Sequence, residues 1–212
     1  MHNLSIVKPK NEPVIDFRQD EAAWTRLSAA AAALPRDFDV PMVIGGRSIY
    51  TEEKVESVNP ATGQRFCLAQ KGTAEHGRAA VAAALEAKET WGKLPIEARV
   101  QRWRDLEWIL YQRRFEIMAV ACTECGFTPN ELSGSWAEMM DFIRFNPYWL
   151  LQLASEQMGD GKNETNRMNL RPLKGFTAAV TPFNFPVAVW YNLPTVMALC
   201  GNTVVWKPAA DA

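Results

Sequence analysis

The 212-residue sequence has no long hydrophobic run. Its apolar stretches, such as the alanine-rich segment at residues 29–34, are far shorter than the roughly 18 apolar residues that a membrane-spanning helix needs. The N-terminus has no apolar core of the signal-peptide kind and is too acidic for a typical transit peptide. We therefore expect a cytoplasmic protein with no membrane partner.

An excess of charge of either sign is also missing. The sequence has 23 Lys and Arg against 24 Asp and Glu, a formal net charge of −1. A nucleic-acid backbone is held by a basic surface, which this balance does not provide, so we expect no nucleic-acid partner. The content of 48% hydrophobic and 22% charged residues is that of a globular protein.

Cysteine and histidine are scarce, with four and two residues respectively. Cys122 and Cys125 have the spacing of a zinc or redox pair, but no second pair accompanies them, so we expect reduced thiols and no metal site. The sequence has no GxGxxG, GxxxxGK[ST] or HExxH motif, and a Ser-His-Asp triad would have to use His2 or His76. These reaction classes are therefore excluded.

Hydrophobic spacing and turn residues predict an α/β chain. In the second long helix we expect Arg99 on a solvated face, and in the third a kink at Pro147. In chain order the predicted elements are an irregular leader with one helix (1–39), two strand pairs (42–50 and 54–70), three helices (74–91, about 95–121, and about 130 to past 149) and two strands (167–172 and 176–180).

A strand, helix and strand close the sequence. The apolar strand ending near Val180 is followed by a proline-bracketed turn, an apolar helix to about Cys200 and the strand 203–206. Two apolar strands joined by a helix predict parallel pairing with a right-handed crossover, and such sheets bind ligands at the carboxyl ends of their strands. These ends are residues 181–184 and Lys207-Pro208. Cys200 is expected to be buried at the end of the helix.

Two motifs in this unit resemble the aldehyde dehydrogenase superfamily. They are Thr-Pro-Phe-Asn-Phe-Pro at 181–186 and Gly-Asn-Thr-Val-Val-Trp-Lys-Pro at 201–208, and an NPATG turn at 59–63 resembles a third. The likeness covers about residues 40–212. It implies an aldehyde-dehydrogenase-like α/β fold, with N-terminal helices and the start of a Rossmann-type parallel sheet in an incomplete dinucleotide-binding domain (40–212). The strand pair at about 167–180 would belong to the β-hairpin through which this family forms homo-oligomers.

Three further segments resemble the 1-pyrroline-5-carboxylate (glutamate semialdehyde) dehydrogenases, namely residues 41–47, 137–146 and 171–176. This likeness implies NAD-dependent oxidation of L-glutamate 5-semialdehyde to L-glutamate in proline degradation. Another aldehyde substrate, such as succinate semialdehyde, or a CoA-dependent variant remains open.

The resemblance assigns two catalytic residues and one substrate contact. Asn184 matches the family's oxyanion donor, an amide that is preorganised for the charge developing on the aldehyde oxygen. The alternative for Asn184 is a turn asparagine that caps the following helix. Glu138 matches a helix glutamate near the reactive cysteine, although a glutamate near a helix start is favoured by the macrodipole anyway. Phe185 would form an aromatic wall beside the aldehyde.

The resemblance also assigns the cofactor contacts. Thr181, Pro182 and Phe183 match the stretch that lines the dinucleotide, and Lys207 matches the lysine that binds the adenosine ribose. Many relatives have a glutamate three residues after this lysine, where the chain has Ala210. NAD is implied, and the missing carboxylate leaves NADP open because nothing there would repel a 2′-phosphate.

The family's nucleophilic cysteine and general-base glutamate have no match in the chain. None of the four cysteines has the required glycine-rich context. We therefore expect the N-terminal portion of an aldehyde dehydrogenase whose catalytic domain is absent. The alternative is a non-catalytic lobe that binds nucleotide or assembles with full-length relatives.

Overall fold

The structure, a computed structural model, describes residues 7–209. No helix in this range is both long enough and apolar enough to cross a membrane. The described elements are α1 (Glu21–Ala33), β1 (Phe38–Val40), β2 (Met42–Ile44), β3 (Arg47–Ile49), β4 (Lys54–Val58), β5 (Arg65–Gln70), α2 (Ala74–Trp91), α3 (Ile96–Gln112), α4 (Arg114–Cys125), α5 (Pro129–Ser155), β6 (Thr177–Val180), α6 (Ala188–Leu199) and β7 (Val204–Lys207).

The irregular segment before α1 lies along α5 and is held there by side chains. Because an irregular segment has no strand or helix partners for its own backbone amides, hydrogen bonds to side chains fix its path. From residue 7 the chain is irregular up to α1, and residues 1–6 of the predicted leader lie outside the described range. Three leader amides donate to α5 side chains over 2.7–2.8 Å, namely Glu12 to Asp141, Ile15 to Ser133 and Phe17 to Asn130.

Two small sheets follow α1. β2 and β3 form the first predicted hairpin, with positive φ at Gly45 and Gly46 in its turn. β4 and β5 form the second predicted pair, and β1 adds to the other edge of β5 in parallel, giving the order β1-β5-β4. β1 was not predicted, since a strand of three residues shows too little alternation of apolar and polar positions to be recognised.

The charged helix predicted from Pro95 is two helices, α3 and α4. Arg113 interrupts it with φ −95° and ψ 14°. The prediction of a solvated Arg99 was wrong, since this residue is only 4% exposed. Its guanidinium donates to the backbone carbonyl of Leu199 over 2.8 Å and to that of Leu94. Hydrogen bonds to these two carbonyls therefore bury a charged side chain that helical spacing alone places on the solvent-facing side.

α4 and α5 begin and end close to the predicted residues. Gly126 ends α4 with φ 73°, the left-handed geometry that glycine tolerates. Thr128 caps α5 by accepting from the amide of Glu131. α5 continues through Pro147 to Ser155, which makes it the long platform against which α3, α4 and α6 pack.

The segment between α5 and β6 contains no strand, so the predicted strand at 167–172 was wrong. Two of its amides donate to side chains of irregular segments instead of to a neighbouring strand. The Met168 amide donates to Gln157 Oε1 over 3.0 Å, and the Leu173 amide donates to Asn202 Oδ1 over 2.9 Å. Pro172 has no amide to contribute to a ladder. The oligomer that the family resemblance implies stays a prediction.

The predicted strand-helix-strand unit is present. β6 pairs in parallel with β7 from Thr177↔Val204 to Val180↔Lys207, and α6 connects them. The predicted strand 176–180 therefore belongs to the parallel sheet and not to a hairpin with the preceding segment.

The largest buried cluster lies where α1, α4 and α5 meet, and α6 closes it. A second cluster joins α3, α5 and the end of α6. The larger cluster contains Phe17, Ala23, Leu27, Met118, Ala119, Ala121, Leu132, Trp136, Met139, Met140, Ile143, Val187 and Ala188.

Candidate active site

The carboxyl ends of β6 and β7 lie side by side, as predicted. The register pairs Val180 with Lys207, and the Thr181 amide donates to the Lys207 carbonyl over 3.3 Å. The Lys207 side chain is exposed at this edge. Two of the predicted cofactor residues are therefore adjacent, and the lysine is open to a ligand.

Two tryptophans hold the first residues of the turn. The indole N–H of Trp206 donates to Thr181 Oγ1 over 3.1 Å, and that of Trp190 donates to the Pro182 carbonyl. Thr181 is 2% exposed. Neither tryptophan was predicted as part of the site, although Trp206 directly precedes Lys207 in its strand. Their indole donors restrict the backbone at the point where the chain leaves the sheet.

The middle of the turn faces outward. Pro182, Phe183, Asn184 and Phe185 are all exposed, and the rings of Phe183 and Phe185 retain 58% and 40% of their accessible surface. Within residues 7–209 the Asn184 side chain has no hydrogen-bond partner. The N-cap of α6 is Val187, and no side chain of its own provides a capping bond. The interpretation of Asn184 as the helix cap was therefore wrong, and its amide is free to donate to a ligand.

The turn ends in a strained residue. Val187 has φ 67° and ψ −68°, and the Ala188 amide donates to the Pro186 carbonyl over 2.8 Å, which together define a γ-turn of the rarer, strained kind. A β-branched residue at positive φ is an outlier. Ser135 of α5 contacts the turn, since its hydroxyl donates to the Pro186 carbonyl and lies 3.4 Å from the Ala188 amide.

Glu138 lies on α5 close to the residue that contacts this turn. It is three residues beyond Ser135 and therefore its neighbour on the helix surface. It is partly buried, and within the described residues it has no ion pair or hydrogen bond. The helix macrodipole acts within the first turn of a helix. α5 begins at Pro129, so Glu138 lies beyond that turn. The dipole therefore gives no separate reason for a glutamate here.

No cysteine in the described chain has the environment of an activated nucleophile. Desolvation raises the pKa of all four thiols, to about 11 for Cys122 and about 12 for Cys125. Cys200 is exposed at the C-cap of α6, contrary to the prediction that it is buried, because it faces outward where the helix ends. α6 spans its 12 residues over about 18 Å, so Cys200 is remote from the turn.

The described residues hold no group of three or more His, Cys, Asp or Glu side chains that could bind a metal ion. Cys122 and Cys125 instead lie half-buried at the end of α4. Ala210, on which the choice between NAD and NADP was discussed, lies outside the described range.

The sequence and the fold both match proteins of one kind. Residues 49–212 match the model of the aldehyde dehydrogenase family. The human mitochondrial delta-1-pyrroline-5-carboxylate dehydrogenase is 33% identical over 217 residues, covering 99% of this chain and 38% of the human protein. The chain therefore spans about two fifths of that relative's length.

Solved structures give the same result. The delta-pyrroline-5-carboxylate dehydrogenase from Mycobacterium tuberculosis superposes with a TM-score of 0.93 at 35% identity, over 100% of this chain and 40% of that one. A structure of the enzyme from that organism bound with NAD has a TM-score of 0.92 at 35% identity, over 99% and 40% of the two chains. With the family model matching most of its length, and with this fold, the chain belongs to the aldehyde dehydrogenase family.

Proposed function

We propose that the chain forms the nucleotide-binding and oxyanion-stabilising part of an NAD-dependent enzyme that oxidises L-glutamate 5-semialdehyde to L-glutamate. The observation that carries this proposal is the parallel pair β6 and β7, whose carboxyl ends present an outward-facing Asn184 and an exposed Lys207 at one edge. The similarity to 1-pyrroline-5-carboxylate dehydrogenases supports the choice of substrate.

The residues at this edge fit a dinucleotide. The Lys207 ammonium is a donor suited to ribose hydroxyls, and Thr181 and Pro182 present a backbone that the two tryptophans hold. The exposed Phe183 ring offers an apolar surface. NAD bound here would supply the hydride acceptor of the reaction, and a solved relative is bound with NAD.

Asn184 acts as the oxyanion donor in this proposal. When a thiolate adds to the aldehyde carbon, the carbonyl oxygen becomes an oxyanion, and the Asn184 amide donates to it. The exposed Phe185 ring would form one wall beside the aldehyde and keep water from it. In this proposal the thiolate comes from a part of the protein other than residues 7–209, because burial raises the pKa of all four thiols here.

Glu138 would act near the reacting thiol. A carboxylate with no partner among the described residues can accept a proton through a water molecule. Its position one helical turn from Ser135, which contacts the Asn184-bearing turn, supports this role.

The test starts with the protein isolated from its own cells. Its intact mass is measured, and its NAD-dependent turnover is compared on glutamate semialdehyde and succinate semialdehyde. We expect a mass well above 23.8 kDa and a preference for glutamate semialdehyde. A mass of 23.8 kDa without turnover would instead support the non-catalytic lobe, and a preference for succinate semialdehyde would support another substrate.

Two variants of the whole protein separate the residue roles. Asn184→Ala should lower kcat by about 10²- to 10³-fold, the usual effect of removing one oxyanion donor. Asn163→Ala, in the exposed loop after α5, is the matched control and should keep full activity. Lys207→Ala should raise the KM for NAD more than it lowers kcat. An Asn184→Ala enzyme with unchanged kcat would remove Asn184 from the mechanism.

A further inference from the structure

The turn that carries Asn184 is held at its far end by another element. Val187 adopts a conformation that β-branched residues avoid, with φ 67° and ψ −68°. Strain of this kind persists only where the surroundings determine the geometry, and it is found at sites where positioning matters. Among the described residues, the turn's own backbone bridges Val187 by one hydrogen bond, from the Ala188 amide to the Pro186 carbonyl.

Ser135 supplies the missing support. Its hydroxyl donates to the Pro186 carbonyl and lies 3.4 Å from the Ala188 amide, which donates towards it. It thus engages both polar groups of the γ-turn from α5. It also takes the place of the side-chain cap that α6 lacks, since Ala188 is the first residue of that helix and Val187 offers no capping oxygen.

Asn184 depends on this support for its orientation. Its side chain has no bond within residues 7–209, so only the backbone of the turn aims its amide. The other end of the turn is fixed at Thr181 and Pro182 by tryptophan indoles. Only residues 183–185 lie between this fixed end and the end that Ser135 contacts at Pro186. The contact with Ser135 therefore limits how far the backbone at Asn184 can rotate.

We propose that Ser135 is a positioning residue that acts through Asn184, by fixing the γ-turn at Val187 so that the Asn184 amide points at the reacting oxygen. The proposal rests on the proposed function, because it needs Asn184 to be the oxyanion donor. Oxyanion donors stabilise charge only when they are held in place before the reaction.

The test compares two serines of α5 in the whole protein. Ser135→Ala removes the support of the turn. Ser133→Ala is the matched control, because that buried hydroxyl accepts from the Ile15 amide on the leader over 2.8 Å, away from the turn. We expect Ser135→Ala to lower kcat by roughly 10-fold, part of the effect of losing the donor, with the KM for NAD unchanged. Ser133→Ala should lower the Tm without lowering kcat.

A double-mutant cycle separates positioning from general loosening. In an Asn184→Ala background, Ser135→Ala should have no further effect on kcat, since residues that act as a unit are not additive. Ser135→Thr keeps the hydroxyl and should recover most of the lost kcat.

The outcomes separate this proposal from the proposed function. If Asn184→Ala lowers kcat but Ser135→Ala does not, the positioning role alone is overturned. It is also overturned if Ser135→Ala lowers kcat by the same factor in both backgrounds. If Asn184→Ala leaves kcat unchanged, the role of Asn184 and this proposal fall together.

Discussion

Arg99 is the buried charge whose loss should be most informative about the fold. It lies on α3, is 4% exposed, and donates to the carbonyl of Leu199 over 2.8 Å and to that of Leu94. The first carbonyl belongs to the last turn of α6, where no intrahelical donor is available. Arg99→Met keeps the aliphatic bulk and removes both bonds.

The expected cost follows from these two bonds. A hydrogen bond to a charged group contributes about 1.5–3 kcal/mol, so two contribute about 3–6 kcal/mol. Part of this is offset because the guanidinium must be desolvated, which lowers the pKa of Arg99. We therefore expect Arg99→Met to lower the free energy of unfolding by about 2–4 kcal/mol, measured by urea denaturation.

Arg102→Met on the same helix is the control. Arg102 is exposed, and surface substitutions usually change stability by less than about 0.5 kcal/mol. If Arg99→Met were as stable as the parent, or more stable, the desolvation cost of Arg99 would equal or exceed the gain from its two hydrogen bonds, which would refute a net stabilising role for this residue.

Two further predictions concern backbone geometry and thiol chemistry. Gly126→Ala should destabilise the fold by about 1–2 kcal/mol or more, because φ at this position is 73° and an added Cβ would lie 2.8 Å from the Pro60 ring. Gly134→Ala, inside α5 with open space around it, should instead stabilise the fold by up to about 1 kcal/mol. Thermal melts should therefore show a lower Tm for the first variant and a higher Tm for the second. Cys122 and Cys125 should react slowly with iodoacetamide at pH 8 until urea is added, because their pKa values are raised to about 11 and about 12 in the folded protein. For the same reason their contribution to stability is complete below about pH 9 and is lost as the pH rises through those values. Equal alkylation rates in folded and unfolded protein would contradict this prediction.

Much of the fold could be predicted because it follows from local patterns. The hairpins, the start and end of α2 and the crossover from β6 to β7 are encoded by turn residues and apolar periodicity within short windows. The errors arose where long-range contacts decide. Arg99 is bonded to carbonyls of α6 and of the loop before α3. The Met168 amide, inside the predicted strand 167–172, donates to the side chain of Gln157, and the next residue after that strand, Leu173, donates to the side chain of Asn202.

The site could be located from its motifs, but its support could not. Thr181 and Lys207 end consecutive strands of a crossover unit, so their proximity follows from topology. The role of Trp190 depends on the side chain of α6 turning back to Pro182, eight residues earlier, and that of Ser135 depends on a contact with Pro186, 51 residues later in the chain. No periodicity encodes the strained geometry of Val187, because the contacts that stabilise it come from α5.

The geometry of the nucleotide-binding edge is set by helices that do not belong to it. α6 connects β6 to β7, yet its N-terminus has no capping side chain of its own and its last turn has no basic residue. Ser135 of α5 bonds at its start, and Arg99 of α3 bonds at its end. Between them, Asn146 of α5 donates to the side chain of Asn192 over 2.9 Å. The connection is thus bonded to α3 and α5 at three points. The separation of Asn184 from Lys207 should therefore respond to changes in this helical layer, even where those changes lie outside the site.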